Sequence, residues 1–312
     1  MISVAVPLLL GCALDAWWGE PRRFHPLVGW ARWAQWLERM LHGEHYAILR
    51  GGLAWALAVL PFVAAAIGIE RWLGESIGWW LLSALGLYLS IGWKSLAQHG
   101  QRVAVPLLAG DIEASRHALS MIVSRDVEGL DEAGIANAAC ESMLENGADA
   151  VFAALFWFAL LGLPGVVLYR LSNTLDAMWG YRNGRYVRFG RVAARMDDLL
   201  NWLPARLTVL AYACVSGSRN SARSSLRCAR VYGSRWKSPN AGPVMAAGAG
   251  ALGRQLGGWS SYHGVRQWRG QLGEGPPAAS ADISRAITLV NRAGLLWVAA
   301  ILGVVTIISA LN

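Results

Sequence analysis

Two apolar runs, Gly51–Ile69 and Ile77–Ala97, separated only by Glu70–Ser76, limit this chain more than any other feature of its sequence. Each matches the roughly 20 residues that a helix needs to cross a 30 Å hydrocarbon layer. Inside such a layer no water satisfies the backbone, so a chain must close its hydrogen bonds within helices or within a complete barrel. Neither run alternates apolar with polar residues, which excludes barrel strands and leaves helices. Apolar residues make up 55% of the 312-residue chain, too many for an ordinary soluble domain. The expected fold is therefore all-α: a polytopic membrane protein, one integral domain over 1–312, with four to six embedded segments and long cytoplasmic helical loops.

Other segments fill in the topology. Ile2–Leu14 is a short apolar run, ending near Trp17 and Trp18 as interfacial anchors. It lacks a basic leading region and small cleavage-site residues, so it does not read as a cleavable signal. DAWWGEPRRFHPLVGW follows as a kinked loop with Asp15, Glu20 and His25, and Arg32, Trp33, Trp36, Leu37 and Met40 form an amphipathic surface helix. Arg22, Arg23, Arg32, Arg39 and Arg50 precede the first long run, whereas the Glu70–Ser76 loop has one Arg and two Glu. Arginine asymmetry puts that loop outside, with Arg22, Asp126, Asp198 and Asn240 in the cytoplasm. Val151–Leu171 is apolar but broken by Gly162-Leu-Pro-Gly165, which favours a re-entrant hairpin over a straight crossing. Ala293–Leu311 is the last span and leaves Asn312 outside.

The polar chemistry lies between these runs. Ser124–Asp149, SRDVEGLDEAGIANAACESMLENGAD, is rich in carboxylates, and Asp131 is placed to cap a helix running to about Gly147. Glu141 and Glu145, four apart, share a face, and Asp149 follows about a turn later. Like charges at that spacing call for a cation, and a divalent metal is the economical candidate. Residues 172–207 form a second polar stretch containing Asn173, Thr174, Asp176, Arg182, Arg195, Asp197, Asp198 and Arg206. Leu207–Val215 is too short to span unless it extends back through Asp198. Arg219, Arg223, Arg227 and Arg230 recur at helical spacing, a stripe suited equally to lipid headgroups or substrate. Ser238-Pro-Asn240-Ala-Gly242 is a tight turn able to offer N–H groups and an Asn amide to an anion. After a Gly-rich patch and an exposed linker, Gly270–Ser280, Asp282 starts a final helix. Cys12, Cys140, Cys214 and Cys228 have no metal-site spacing and read as small apolar residues.

Phosphate-loop, HExxH, GxSxG and GxGxxG signals are all absent. A transporter would place its polar residues in the middle of the helices, whereas here they crowd the connecting segments. Metal-assisted chemistry on a phosphorylated or carboxylated substrate at the membrane surface fits better: carboxylates and Asn for Mg²⁺, arginines for anions. Only Lys94 and Lys237 of the 28 basic residues are lysines.

Asp15 with GEP at 19–21 and HP at 25–26, SRDVEGLDE, ESMLENGADAVFAALFWFALLGLPG, NTLDAMWGY, FG-x3-AR-x-DDLLNWLPARLT and SPNAG resemble, in order, signatures of the adenosylcobinamide-phosphate synthases of cobalamin biosynthesis, the CobD/CbiB family. Together they cover nearly the whole chain. The resemblance implies an inner-membrane enzyme with cytoplasmic functional loops. Such an enzyme joins aminopropanol, or its phosphate, through an amide to the free propionate of adenosylcobyric acid, using ATP and Mg²⁺. Membrane lipids and other late cobalamin-assembly enzymes are the implied partners, and nucleic acid is not one.

Carried over by motif, Arg125, Asp126, Glu141, Glu145, Asn146 and Asp149 fit a metal–nucleotide site, with Asn173, Thr174, Asp176, Arg195, Asp197, Asp198 and Arg206 as its opposing wall. Glu141, Glu145, Asp149, Asp197 and Asp198 are the metal candidates, and Arg182, Ser238 and Asn240 join the substrate-binding group. His25, or equally a carboxylate, would accept the amine proton. The chain departs from the commoner pattern at Ser124, Ala150, Ala153–Ala154, Glu20 and Pro243, all beside the charged positions or conservative. Two alternatives are a non-enzymatic membrane signalling protein of the same superfamily, connected with β-lactamase induction, and a membrane phosphoalcohol transferase. The latter's DGxxAR pattern is missing, since Ala150 follows Asp149.

Overall fold

The computed structural model describes residues 2–21, 25–181 and 184–311. Arg22, Arg182 and Asn312, to which the sequence assigned places, lie outside the described residues. In chain order the helices are α1 (Ile2–Trp18), α2 (Pro26–Leu41), α3 (Ala47–Leu73), α4 (Ile77–Tyr88), α5 (Trp93–Leu108), α6 (Ile112–Ser120) and α7 (Glu132–Gly147). A π-helical turn, Ala148–Phe152, leads into α8 (Ala153–Trp179), followed by α9 (Tyr186–Phe189), α10 (Arg191–Val215), α11 (Arg219–Val231) and α12 (Ala241–Leu252). The strands β1 (Leu256–Tyr262) and β2 (Val265–Leu272) precede α13 (Ser280–Leu311). This is the all-α polytopic architecture expected, with one hairpin added. Among the described residues, three helical stretches are long and apolar enough to cross a membrane: Ala47–Leu73, Glu132–Trp179 and Ser280–Leu311.

Several boundaries differ from expectation for identifiable reasons. The run Ile77–Ala97 is not one helix: α4 stops at Tyr88, Ser90 turns its hydroxyl back to the Gly86 carbonyl, and α5 starts anew at Trp93. Leu207–Val215 does extend back through Asp198, because α10 runs unbroken from Arg191 and carries Asp197 and Asp198 as helical residues. The linker expected over 270–280 overlaps the end of β2.

The described residues fall into two compact units. One draws on Met1–Gly92, Ala153–Asn201 and Ala300–Asn312, the other on Trp93–Phe152 and Trp202–Ala299.

In the first unit, α3 shows how a membrane helix inverts the soluble pattern. Its buried face is small (Gly51, Ala54, Ala58), while Leu49, Leu53, Leu57, Leu60 and Phe62 are exposed. Without a hydrophobic drive between helices in lipid, close backbone approach through small residues supplies the packing. The Trp30 indole donates to the Ala58 carbonyl at 2.9 Å, fixing α2 on α3, and Leu171, Leu175, Trp179 and Phe189 complete that core. His25 caps α2, its Nδ1 accepting from Leu27 N at 3.2 Å. Glu38, buried on α2, accepts from Arg185 Nη2 at 2.8 Å and from the Tyr186 hydroxyl at 3.0 Å. That ties the segment before α9 to α2.

The break in α8 is at Gly162, with φ 62° and ψ −147°, a backbone that a side chain would strain. Beyond it the chain doubles back. Residues eight apart in a straight helix are about 12 Å apart along the axis. Here a Cβ on Gly165 would collide with the Trp157 carbonyl. Leu163, just past the break, packs on Gly86 of α4. This is the hairpin geometry expected of the Gly-Leu-Pro-Gly break.

In the second unit, α12 is almost entirely Gly, Ala and Val and is buried on nearly every side. Gly250 lies on the Ser224 backbone of α11, and Gly248 on Leu144 of α7. The π-helical turn shifts the hydrogen-bond register after α7, and the Tyr212 hydroxyl donates to the Leu144 carbonyl at 2.9 Å. Asp282, at the start of α13, holds Arg285 Nη1 at 2.5 Å and Arg254 Nε at 2.8 Å. β1 and β2 pair antiparallel from Leu256–Leu272 to Tyr262–Val265. The two-residue turn His263-Gly264 has positive φ at both positions, 51° and 77°, which matches the twist of the flanking strands.

Candidate functional site

Glu141 is the centre of the second unit's polar cluster. On α7, with the Asp131 carboxylate capping the helix at Gly134 N, it is 1% exposed. A carboxylate so placed must be paired. Its Oε2 is held by Arg125 Nη2 and, at 2.7 Å, by Arg269 Nη1; its Oε1 accepts from Gly257 N at 2.8 Å. The cation that the acidic spacing called for is, at Glu141, a pair of guanidinium groups. Arg269 lies 4.7 Å from the Trp236 ring centroid, and Arg125 Nη1 reaches Ser260 Oγ at 3.4 Å. Asn137 Nδ2 donates to the Gly257 carbonyl at 2.8 Å, fixing the irregular start of β1. Glu145, half-buried one turn further along α7, lies in the field of Arg269, Glu141 and Arg125.

Other residues singled out in the same motifs have local tasks. Asp126 accepts from His263 N at 3.1 Å and Gly264 N at 2.8 Å, while its own N–H donates to the Ser261 carbonyl at 2.9 Å. It therefore clamps the hairpin tip, and Arg125 next to it ties the same hairpin's base to α7. Asn146 turns its amide back to the Ser142 carbonyl at 2.8 Å. Asp149 sits half-buried in the π-helical turn.

In the Ser238–Gly242 turn, Ser238 Oγ accepts from Asn240 N at 3.3 Å and Ala241 N at 3.1 Å. Two N–H groups of the turn expected to face an anion are thus taken up by Ser238. Asn240 Oδ1 accepts from Arg206 Nη1 at 2.6 Å, and Arg206 stacks 4.9 Å from the Trp202 centroid. Burial pulls the Arg206 pKa below its ordinary value.

The first unit holds a separate cluster. Asp197 Oδ1, on α10, accepts from Asn173 Nδ2 and from Asn201 Nδ2, both at 3.1 Å, and the Asn201 carbonyl accepts from the Tyr169 hydroxyl at 3.0 Å. Burial, then the neighbouring Asp176 charge, push the Asp197 carboxyl up to about 7; the two amides oppose that shift and Asp198 adds to it. Thr174 spends its hydroxyl on the Arg170 carbonyl at 2.7 Å. Arg195, two residues before Asp197, is exposed. His25 also belongs to this unit. Burial lowers its pKa, against Glu20, which raises it, and with Arg170, which lowers it further. A neutral imidazole whose Nδ1 accepts a cap carries its proton on Nε2, so it must give up the cap before accepting another proton.

Magnesium takes oxygen ligands, typically one or two carboxylates with the remainder from water and phosphate. Among the described residues, no three His, Cys, Asp or Glu side chains converge as a ligand group. Asp197, with its pKa raised by burial and by Asp176, has the chemistry of a carboxylate lacking a counter-charge and fits such an ion. Glu141 is already neutralised by two arginines.

Arg269, Trp236 and Ser260 belong to none of the motifs and join the cluster only through the fold. The signal was there in Trp259 to Trp268, two stretches flanking His263-Gly264, but that turn lacks the Asn-Gly or Asp-Gly that usually marks a hairpin.

The family model described as CobD/Cbib protein matches residues 8–290. A relative from Chromobacterium violaceum, named cobalamin biosynthesis protein CobD, is 49% identical over the whole of both chains. One of the same name from Stutzerimonas stutzeri is 50% identical over 96% of this chain and 98% of its own. Another, from Mycobacterium tuberculosis, is 40% identical over 91% of this chain and 90% of its own. No solved structure matches.

Proposed function

The chain belongs to the CobD/Cbib family, and from that premise we propose that it is the membrane enzyme of cobalamin biosynthesis that forms the amide between adenosylcobyric acid and aminopropanol phosphate. The observation that carries this reading is the convergence of polar and cationic side chains on two motif carboxylates. Arg125 and Arg269 meet at Glu141, and Asn173 and Asn201 meet at Asp197.

A carboxylate is a poor electrophile, and ATP with magnesium supplies the activation when bound. Asp197, with the neighbouring Asp176, would hold the magnesium ion, the remaining ligands coming from water and phosphate. Arg125 and Arg269 are fixed in place by Glu141 before any substrate arrives, so no reorganisation is needed when negative charge develops beside them. Each guanidinium has five N–H donors, and the contacts to Glu141 and Ser260 use only part of them. Such forks favour the phosphorylated amine over the alcohol. Glu145 lies beside these arginines with no hydrogen bond among the described residues, and we assign it to take the amine proton. The enzyme would work in the inner membrane with these clusters on the cytoplasmic side, close to other late cobalamin-assembly enzymes.

Growth tests the reading. A strain lacking the protein should grow on added cobinamide but not on cobyric acid when growth requires cobalamin, because only cobinamide lies beyond the missing step. Equal growth on both, with no other enzyme able to substitute, would end it.

A further inference from the structure

Beside the break in α8 the first unit contains a cavity of about 260 Å³, lined by Val4, Glu70, Trp79, Ser83 and residues 158–162. Three of its features are electronegative. Glu70, half-buried, brings a carboxylate from the last turn of α3. The helical segment ending at Gly162 brings its C-terminal carbonyls, the negative end of a helix. In an uninterrupted helix the Leu160 carbonyl would meet the N–H of residue 164, but that residue is proline and has none.

The third feature is Ser83. It is 2% exposed, and its hydroxyl has no hydrogen-bond partner among the described residues. Several helical hydroxyls turn back to the carbonyl four residues earlier, Thr174 to Arg170 at 2.7 Å, Thr208 to Pro204 at 2.8 Å and Thr288 to Ser284 at 2.8 Å, whereas Ser225 on α11 is buried without a partner among the described residues, as Ser83 is. Ser83 does not, although the same bond would satisfy it. A buried hydroxyl without a partner costs about 1–3 kcal/mol, and Ser83 is among the residues that line the cavity.

Among the described residues, none that lines this cavity is cationic. We propose that the cavity is a binding site for a monovalent alkali cation, coordinated by the Glu70 carboxylate, the Ser83 hydroxyl and carbonyl oxygens at the break in α8. Charge decides the class. One carboxylate among neutral oxygens balances a single positive charge. Broken helices whose exposed carbonyls meet a cation at membrane depth are a recurrent solution to this packing problem. At about 30 Å³ per water the volume also admits some of the ion's hydration shell.

The experiment uses the full chain purified in detergent, melted at constant ionic strength in sodium, potassium or N-methyl-D-glucamine chloride, with equilibrium dialysis of ²²Na⁺ alongside. An alkali cation at about ten times its dissociation constant should raise Tm by about 2–4 °C over N-methyl-D-glucamine. Binding should saturate at one ion per chain. Glu70→Gln should abolish both effects, and Ser83→Ala should weaken the affinity at least tenfold. The wild-type titration alone overturns the proposal if Tm is the same in all three salts and no ²²Na⁺ is retained, since the cavity then holds only water. A cation effect that survives undiminished in both variants also overturns it, because the ion then sits elsewhere. None of these readouts depends on cobalamin chemistry, so they fail or succeed apart from the reading above.

Discussion

The Glu141 carboxylate accepts a hydrogen bond at 2.7 Å from Arg269, a partner 128 residues further along the chain, while Arg125 holds the same oxygen from 16 residues before it. This bond ties a β-hairpin to a membrane helix. Removing one member of a buried ion pair leaves the other charges uncompensated, which typically costs about 3–5 kcal/mol. Glu141→Gln should therefore lower the melting temperature in detergent sharply. Adding Arg269→Gln should recover part of the loss, because it removes one of the two stranded cations. An additive double variant would mean that the two side chains do not interact.

Asp126 bears on the hairpin through its tip. Asp126→Ala removes the acceptor for two exposed N–H groups, at His263 and Gly264. The expected cost is modest, about 1 kcal/mol, because water can replace the carboxylate. Hydrogen exchange should speed up at those two amides and leave α7 unchanged. Equal acceleration across α7 would show that the hairpin and helix open as one body.

How much of this was legible beforehand depends on the kind of force involved. The Asp131 cap, α7 to Gly147 and the break at Gly162 follow from local rules and stand as expected. The split of Ile77–Ala97 was hidden, because nothing in its apolar composition says that Ser90 will end α4. The acidic spacing correctly called for a cation, but whether arginine supplies it depends on a hairpin that brings Arg269 to Glu141. The capping role of His25 depends on where α2 begins, and the bonds of Ser238 to the N–H groups of its own turn depend on how that turn closes.

Asp197 carries a pH signature. With its pKa raised from 3.8 to about 7, the folded state holds a proton that the unfolded chain has released, so stability falls as pH rises through that window. Melting temperatures should show this slope between about pH 4 and 7, and Asp197→Asn should flatten it. Magnesium, which binds the ionised form, should stabilise more strongly above the window than below it. An unchanged slope in the variant would place the titration elsewhere.

The hairpin in α8 predicts a topology. In a variant without Cys12, Cys140, Cys214 and Cys228, a cysteine introduced at Glu75 should react with an impermeant reagent applied to intact cells. One introduced at Arg185 should react only after permeabilisation. Efficient labelling at 185 from outside would mean that α8 crosses straight through despite Gly162.

Glu145 separates catalysis from folding. Glu145→Gln should retain the wild-type melting temperature to within a few degrees, since no hydrogen bond among the described residues is lost. Turnover should fall by about 10²–10⁴. Full activity in the variant would return Glu145 to the status of a solvated side chain.

Conversion by the purified protein tests the central claim most directly. Incubated with adenosylcobyric acid, aminopropanol phosphate, ATP and magnesium, the protein is predicted to yield the amide, with ATP consumed in proportion. Omitting either ATP or magnesium should abolish product, and aminopropanol should be the weaker donor. Absence of the amide from folded protein under the complete conditions, or its formation without ATP, would contradict the account.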